Sequence, residues 1–134
     1  MSEPIEGGCL CGEVRYALRA EPITVVLCHC SICRRSAGAP AVAWALIASD
    51  DLRFTRGEPE RFESSSGVER AFCRRCGTPL TFRADYMAGL VDVTVGSLDA
   101  PERMPPVMHI WDSRRLPWLE SADAWPRHAE FPPQ

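Results

Sequence analysis

Seven cysteines in three short clusters constrain this chain more than any other feature of its sequence. The clusters read Cys9-Leu10-Cys11, Cys28-His29-Cys30-Ser31-Ile32-Cys33 and Cys73-Arg74-Arg75-Cys76-Gly77. The start of the chain has no basic segment followed by an apolar run, so we expect a cytoplasmic protein, in which disulfides are disfavoured. An odd number of cysteines also argues against a disulfide framework. The clusters therefore predict bound zinc.

The cysteines divide into a group of four and a group of three. A structural zinc ion takes four tetrahedral ligands, whereas a catalytic zinc ion keeps three protein ligands and one vacant position. One cluster already forms a local trio, and the two remaining pairs complete each other. We predict a closed structural site made of Cys9, Cys11, Cys73 and Cys76. We predict an open, catalytic site made of Cys28, Cys30 and Cys33.

Three alternatives to this division stay open. His29 can complete a second four-ligand structural site, although neighbouring residues in extended backbone point to opposite faces, which favours a packing or orienting role for it. Cys73 and Cys76 can form a redox dithiol, although no βαβ pattern typical of thioredoxin surrounds them. Buried inert thiols are the third alternative, and they leave the clustering unexplained.

Basic and aromatic residues lie close to the predicted open site in the sequence. Arg34 and Arg35 directly follow the trio, and we predict that they bind a substrate, for example through its carboxylate. A solvated turn is an equally good interpretation of this pair. The four tryptophans are first of all core residues for a chain of this length, and one or two of them are expected to line a pocket.

Alternation of polar and apolar residues with a period of two predicts a mainly β protein with antiparallel sheets and little helix. The predicted strands cover residues 14–18, 23–27, 41–48, 52–55, 68–73, 80–83 and 91–95. Short helices are expected at residues 31–37 and at residues 121–125, where Ser121 is the candidate cap and Asp123 lies in the first turn. The proline-rich end cannot continue a helix.

Length and charge narrow the range of functions. The 134 residues predict a single domain, with a core at about residues 5–120 and a C-terminal tail at residues 121–134. The formal charge of −3 favours neither nucleic acid nor an acidic membrane surface, and no apolar segment is long enough to span a membrane. Homo-oligomers are compatible with this sequence. These features leave small molecules as the expected partners.

The three cysteine motifs resemble the glutathione-dependent formaldehyde-activating enzyme family, which also includes a eukaryotic centromere-associated protein. The matching stretches are residues 8–16, 28–38 and 72–80, joined by His109-Ile110-Trp111 and Pro117-Trp118. The resemblance implies a β-tent-like fold, two zinc ions and a carbon–sulfur lyase whose type reaction joins formaldehyde and glutathione. It implies structural ligands at Cys9, Cys11, Cys73 and Cys76 and catalytic ligands at Cys28, Cys30 and Cys33.

One stretch departs from the glutathione-acting members of this family. They continue with His-Met and Tyr-Gly-Arg where this chain has Pro79-Leu80-Thr81-Phe82-Arg83. The resemblance therefore does not identify the thiol substrate as glutathione. We predict a zinc-dependent carbon–sulfur lyase that acts on a small, glutathione-like thiol or its aldehyde adduct. The alternative is a non-catalytic zinc-binding module that presents a scaffold to a protein or nucleic-acid partner.

Overall fold

A computed structural model describes residues 4–119 and 123–133 of the chain. Within these residues lie β1 (Ile5–Gly8), β2 (Arg15–Leu18), β3 (Thr24–Cys28), α1 (Ser31–Ala37), β4 (Val42–Ala48), β5 (Leu52–Arg56), β6 (Glu60–Ser65), β7 (Val68–Phe72), β8 (Pro79–Ala84), β9 (Leu90–Thr94) and β10 (Met108–Ile110). Short 3₁₀ helices cover Ser49–Asp51, Asp85–Met87, Val95–Ser97, Pro101–Arg103 and Asp112–Arg114. In this described part of the chain, no helix is long and apolar enough to cross a membrane.

The prediction of a mainly β fold with little helix is confirmed. All seven predicted strands are present, and the helix predicted at residues 31–37 is α1. The sequence pattern missed β1, β6 and β10, which are short or lack a clear alternation of buried and exposed residues. The second predicted helix begins at Ser121, outside the described residues, and the described end of that segment, residues 123–125, has no regular secondary structure.

The strands form two sheets. The smaller sheet has the order β1-β2-β5, and the larger sheet has the order β10-β3-β4-β9-β8-β7-β6. Neighbouring strands are antiparallel throughout, except that β10 pairs in parallel with β3. Strand β10 is the edge strand of the larger sheet, and the C-terminal tail lies along it. The backbone of residues 126–130 is hydrogen-bonded to β10 and to the residues that directly follow it. The larger sheet therefore provides two broad faces.

One face of the larger sheet forms the main hydrophobic core. Residues directly opposite each other on paired strands share a face, and Val25, Ala45 and Val93 are opposite one another on three neighbouring strands. They pack with Tyr16 of β2 in the smaller sheet and with Val14, which directly precedes β2. All five side chains are buried. Each large apolar side chain buried in this way contributes roughly 1.5–3 kcal/mol to folding.

The other face of the larger sheet carries two charged side chains, Asp92 and Arg70, among aromatic and aliphatic ones. Asp92 lies directly opposite Leu46 on one side and Phe82 on the other, and Phe82 lies opposite Arg70. Trp44 of β4 contacts Phe82 with ring centroids 5.9 Å apart. This row of side chains crosses four strands and faces away from the main core.

Helix α1 follows β3 and is capped at both ends by residues of its own sequence. Cys30 is the N-cap, and its sulfur accepts a hydrogen bond from the backbone N–H of Cys33. Gly38 ends the helix at φ 64°, a left-handed conformation that glycine adopts without strain, and its N–H donates to the carbonyl of Arg34. These caps hold Cys30 and Cys33 on the first turn of the helix.

Candidate functional site

Four cysteines from two loops meet where the two sheets approach each other. Cys9 and Cys11 lie in the loop between β1 and β2, and Cys73 and Cys76 lie in the loop between β7 and β8. The Sγ atoms of Cys9 and Cys11 are 3.6 Å apart, and those of Cys11 and Cys73 are 3.8 Å apart. Zinc–sulfur bonds of about 2.3 Å in a tetrahedron place the sulfurs about 3.8 Å apart. The cluster can therefore hold a metal ion.

Backbone N–H groups surround the sulfurs of this four-cysteine cluster. The N–H of Val14 donates to Cys9 Sγ at 3.3 Å. The N–H groups of Arg75 and Cys76 donate to Cys73 Sγ at 3.4 and 3.5 Å. Such bonds stabilise thiolates, which are the form that binds metal.

The remaining three cysteines form a second cluster at the junction of β3 and α1. Cys28 ends β3, Cys30 caps α1 and Cys33 lies in its first turn. The Sγ atoms of Cys28 and Cys33 are 3.8 Å apart, and all three sulfurs lie within 4.8 Å of one another. This separation matches an edge of a zinc–sulfur tetrahedron. The trio can hold a metal ion, and no fourth ligand joins it among the described residues.

The thiols of the trio differ in pKa, because they are hydrogen-bonded to one another. Hydrogen bonds from Cys28 and Cys33 lower the pKa of the Cys30 thiol. The pKa of Cys28 is raised, because its hydrogen bonds to Cys30 and Cys33 hold its proton and because it is buried. The lowered pKa of Cys30 favours a thiolate at that position, and a metal ion would replace the protons that the sulfurs share.

Arg70 compensates this negative charge from β7. The side chain is only 8% exposed, and both terminal nitrogens lie 3.7 Å from Cys33 Sγ. The guanidinium also lies over the Phe82 ring, 4.8 Å from its centroid, and Nε donates to Ser64 Oγ at 3.1 Å. Among the residues that the structure describes, no carboxylate forms an ion pair with Arg70. A buried cation needs a negative partner, and here the partner is the cysteine trio.

A cavity of about 470 Å³ opens beside the trio. All three cysteines line it, and most of its wall is aromatic or aliphatic. The aromatic residues are Trp44, Phe82, Tyr86, Trp111 and Phe131. Two of the four tryptophans thus line this cavity, as the sequence predicted. The volume suits a small organic ligand, and the apolar wall limits its contact with water.

Asp92 of β9 lines the same cavity. Burial raises the pKa of its carboxyl group to about 7. The sequence prediction missed both Arg70 and Asp92, because each is a charged residue in an ordinary strand pattern without a motif around it. The available signal was the strand alternation, which places Asp92 on the face opposite Val91 and Val93.

His29 lies between two trio cysteines in the sequence but belongs to a separate buried network. Its Nε2 atom is 2.8 Å from Nδ1 of His109, whose Nε2 is 3.0 Å from a carboxylate oxygen of Asp123. Both rings are 1% exposed, and burial lowers the pKa of His29. The network connects β3, β10 and the tail, and it orients the backbone that carries Cys28 and Cys30.

The same two histidines also approach Asp112. The ligand atoms of His29, His109 and Asp112 lie within 4.8 Å of one another, which is close enough for a metal ion. Guanidinium nitrogens of Arg115 and Arg127 lie 3.5 and 3.0 Å from the Asp112 carboxylate. These two cations already neutralise the acid and disfavour a further positive charge. We therefore interpret the group as a hydrogen-bonding network.

Arg34 and Arg35 lie outside the cavity that holds the trio. They line a neighbouring cavity of about 380 Å³ together with Trp118. Ser31 lines both cavities, so the two are adjacent. Substrate binding by this pair stays a prediction.

Comparisons with known proteins identify relatives of this chain. A family model for the glutathione-dependent formaldehyde-activating enzyme matches residues 4–114. A Halomonas elongata protein with the provisional name of such an enzyme is 30% identical over 125 residues, 87% of this chain and 80% of that protein. An uncharacterized lyase of Schizosaccharomyces pombe is 32% identical over 77 residues, 58% of this chain and 56% of that protein. A crystal structure of a Rhodobacter sphaeroides protein matches with a TM-score of 0.60 and 26% identity, over 70% of this chain and 87% of that chain.

Proposed function

Because the chain belongs to the glutathione-dependent formaldehyde-activating enzyme family, we propose that it is a zinc-dependent carbon–sulfur lyase acting on a small thiol–aldehyde adduct. The observation that carries this proposal is the position of the trio. Cys28, Cys30 and Cys33 lie at the wall of a ligand-sized cavity, and the described residues supply no fourth ligand. A three-ligand zinc site beside a cavity is the arrangement of catalytic zinc.

The donor set fits zinc at both clusters. Thiolate sulfur is a preferred ligand of zinc, and the sulfur separations match its tetrahedral geometry. We assign one structural ion to the four-cysteine cluster and one catalytic ion to the trio. When bound at the trio, zinc lowers the pKa of a coordinated thiol and polarises a carbonyl oxygen.

The protein residues around the trio support this chemistry in three ways. Arg70 offsets the negative charge of the sulfurs and of an incoming thiolate. The aromatic walls, including Trp44 and Phe82, keep water away from the reacting carbon. Arg34 and Arg35 line the adjacent cavity, and we assign them to a carboxylate of a thiol that extends from the trio past Ser31.

The family name favours glutathione or a glutathione-like thiol as the partner and formaldehyde as the aldehyde. Clustered cysteines without disulfides are typical of a reducing compartment, which supports a cytoplasmic protein. The rival function is a zinc-stabilised scaffold without catalysis. The two functions differ in whether the trio can accept a ligand from solution.

Two matched substitutions test the proposal. Cys30→Ser and Cys11→Ser each remove one half-buried sulfur, the first from the trio and the second from the four-cysteine cluster. Exchange NMR with ¹³C-formaldehyde and glutathione measures adduct formation by the zinc-loaded protein. We expect Cys30→Ser to keep its fold and its structural zinc, and to slow adduct exchange to the uncatalysed rate. We expect Cys11→Ser to lower Tm strongly, because it breaks the closed site.

Two results would contradict the proposal. Wild-type protein that leaves adduct exchange at its uncatalysed rate, with glutathione and with smaller thiols, excludes the lyase and favours the scaffold. Undiminished exchange in a folded Cys30→Ser protein excludes the trio as the catalytic site.

A further inference from the structure

Asp92 is the one carboxylate among the described residues that line the cavity beside the trio. Its register in the sheet fixes its direction, because it lies opposite Leu46 and Phe82 on the face that carries Arg70. The walls around it are mostly aromatic and aliphatic. An acid placed on this face therefore meets the same ligand that meets the cysteine sulfurs.

The Asp92 carboxylate has no structural partner in the described part of the chain. It forms no hydrogen bond and no ion pair there, although burial raises its pKa to about 7. Asp92 is partly buried, and an acid in such a position that serves only the fold is normally held by hydrogen bonds or by a cation. The unpaired carboxyl group faces the cavity and is free to bond a ligand.

The other ionisable groups of the cavity are less suited to carry a proton to and from a ligand. They are Arg70, Arg114, Tyr86, Cys28, Cys30 and Cys33. An arginine guanidinium has no lone pair that can accept a proton, and the cysteines are the candidate zinc ligands. Tyr86 is 63% exposed, and partial desolvation of its hydroxyl group together with the charge of Asp92 raises the pKa of that group.

We propose that Asp92 is the general acid and general base of this site, exchanging a proton with the oxygen on the aldehyde carbon of the thiol adduct. This role rests on the proposed lyase function. It assigns a second polar position to the substrate, an oxygen on the same carbon that carries the sulfur. The expected substrate class is thus a hemithioacetal formed from a small aldehyde.

The proton balance of the step is complete in both directions. In synthesis, the thiolate sulfur forms a bond to the aldehyde carbon, and the carbonyl π pair moves to oxygen, which takes the proton of Asp92. The thiol proton has already left to solvent, and solvent reprotonates Asp92. In cleavage, the Asp92 carboxylate takes the hydroxyl proton, the carbonyl re-forms and the thiolate leaves. A carboxyl group that titrates near neutral pH serves both directions.

Asp92→Asn tests this role, and Asp85→Asn is the matched control. Asparagine keeps the size of the side chain and cannot transfer the proton. Asp85 is an exposed acid at the end of β8, outside this cavity. We expect Asp92→Asn to bind two zinc ions and to lose about 100-fold or more in adduct turnover. Its kcat/KM should also lack the break near pH 7 that wild type and Asp85→Asn show.

A second readout does not depend on turnover. The ¹³C resonances of labelled aspartate carboxyl groups in zinc-loaded wild-type protein should include one that titrates near pH 7 and disappears in Asp92→Asn. An Asp92 resonance that titrates near pH 4, or an Asp92→Asn protein with wild-type turnover and pH profile, overturns the role of Asp92 and leaves the lyase function standing. Absence of turnover in wild type overturns the lyase function itself, and the catalytic role of Asp92 falls with it.

Discussion

Arg70 is the residue that most directly controls the charge of the trio. Its guanidinium is buried against Cys33 and Phe82 and has no carboxylate partner among the described residues. Replacement by methionine keeps much of the apolar contact and removes the charge. We expect Arg70→Met to lower the zinc affinity of the trio about 10-fold or more, because residues that support metal ligands contribute at this level. Competition with a chromophoric chelator measures the affinity.

Arg61→Met provides a control on the neighbouring strand. Arg61 is exposed and pairs with Glu69 at 2.9 Å, so its loss should leave both zinc affinities unchanged. Equal zinc affinity in Arg70→Met and wild type would show that Arg70 does not stabilise the thiolates.

Asp92 should also leave a signature in stability. Its folded-state pKa, raised to about 7, lies above its ordinary value of 3.8, so the folded protein binds this proton more tightly than the unfolded chain. The contribution of Asp92 to the free energy of unfolding is fully present below about pH 4 and is lost as the pH rises toward 7. Asp92→Asn has no such decline. A tenfold change in proton affinity corresponds to about 1.4 kcal/mol. The free energy of unfolding of Asp92→Asn, relative to that of wild type, should therefore rise by about 1 kcal/mol between pH 6 and pH 8.

Urea unfolding of the zinc-loaded proteins at both pH values measures this difference. Asp85→Asn, at an exposed position, should show a pH dependence close to that of wild type. An advantage of Asp92→Asn that stays constant from pH 6 to pH 8 would mean that Asp92 is already ionised throughout this range.

Sequence spacing predicts the ligands in this site but not their neighbours. The two cysteine groups follow from counting and from short spacings, and the structure brings their sulfurs together as two such groups. Arg70 reaches Cys33, and Asp92 reaches the cavity beside the trio, through the register of β7, β8 and β9. That register depends on long-range pairing, which a single sequence does not reveal.

The turn between β7 and β8 offers a test of how local geometry supports the four-cysteine cluster. Gly77 adopts φ 82°, and an added Cβ would meet no atom within 4 Å. The cost of Gly77→Ala is therefore conformational, and we expect a loss of about 1 kcal/mol. Asparagine tolerates this conformation better, so Gly77→Asn should lose less. Thermal unfolding of the zinc-loaded variants compares them, and equal Tm values for all three proteins would contradict the role of this turn.

The elements that the sequence predicted share a simple physical signal. Strands β2 and β9 alternate buried and partly exposed side chains, and α1 has a capping residue and a terminal glycine. Strand β6 is exposed along most of its length, so burial left no pattern in its sequence. Strand β10 has three residues and depends on β3 and the tail for its hydrogen bonds.

The two sheets share one core and meet again at the four-cysteine cluster. Cys9 and Cys11 belong to the smaller sheet's first hairpin, and Cys73 and Cys76 belong to a hairpin of the larger sheet. Zinc at this cluster should therefore stabilise the whole fold, whereas zinc at the trio has one ligand fewer and should leave first. We expect a chelator to remove one ion without a change in near-UV circular dichroism and the second ion together with unfolding.

A metal-sensitive dye and circular dichroism, recorded on the same sample, follow both events. Cys30→Ser should show only the second, slower release. Loss of both ions with an unchanged spectrum would mean that neither cluster stabilises the fold.

The central claim is that the trio holds a zinc ion with a position open to a substrate thiol. Cobalt(II) substitution tests it directly, because sulfur–cobalt charge-transfer bands report the number of thiolate ligands at each ion. We predict two cobalt ions per chain, one bound by four sulfurs and one by three, and a gain of one sulfur ligand at the second ion when thiol is added. The gain should be absent in Cys30→Ser. A spectrum that thiol leaves unchanged, with both ions already bound by four protein ligands, would contradict the claim.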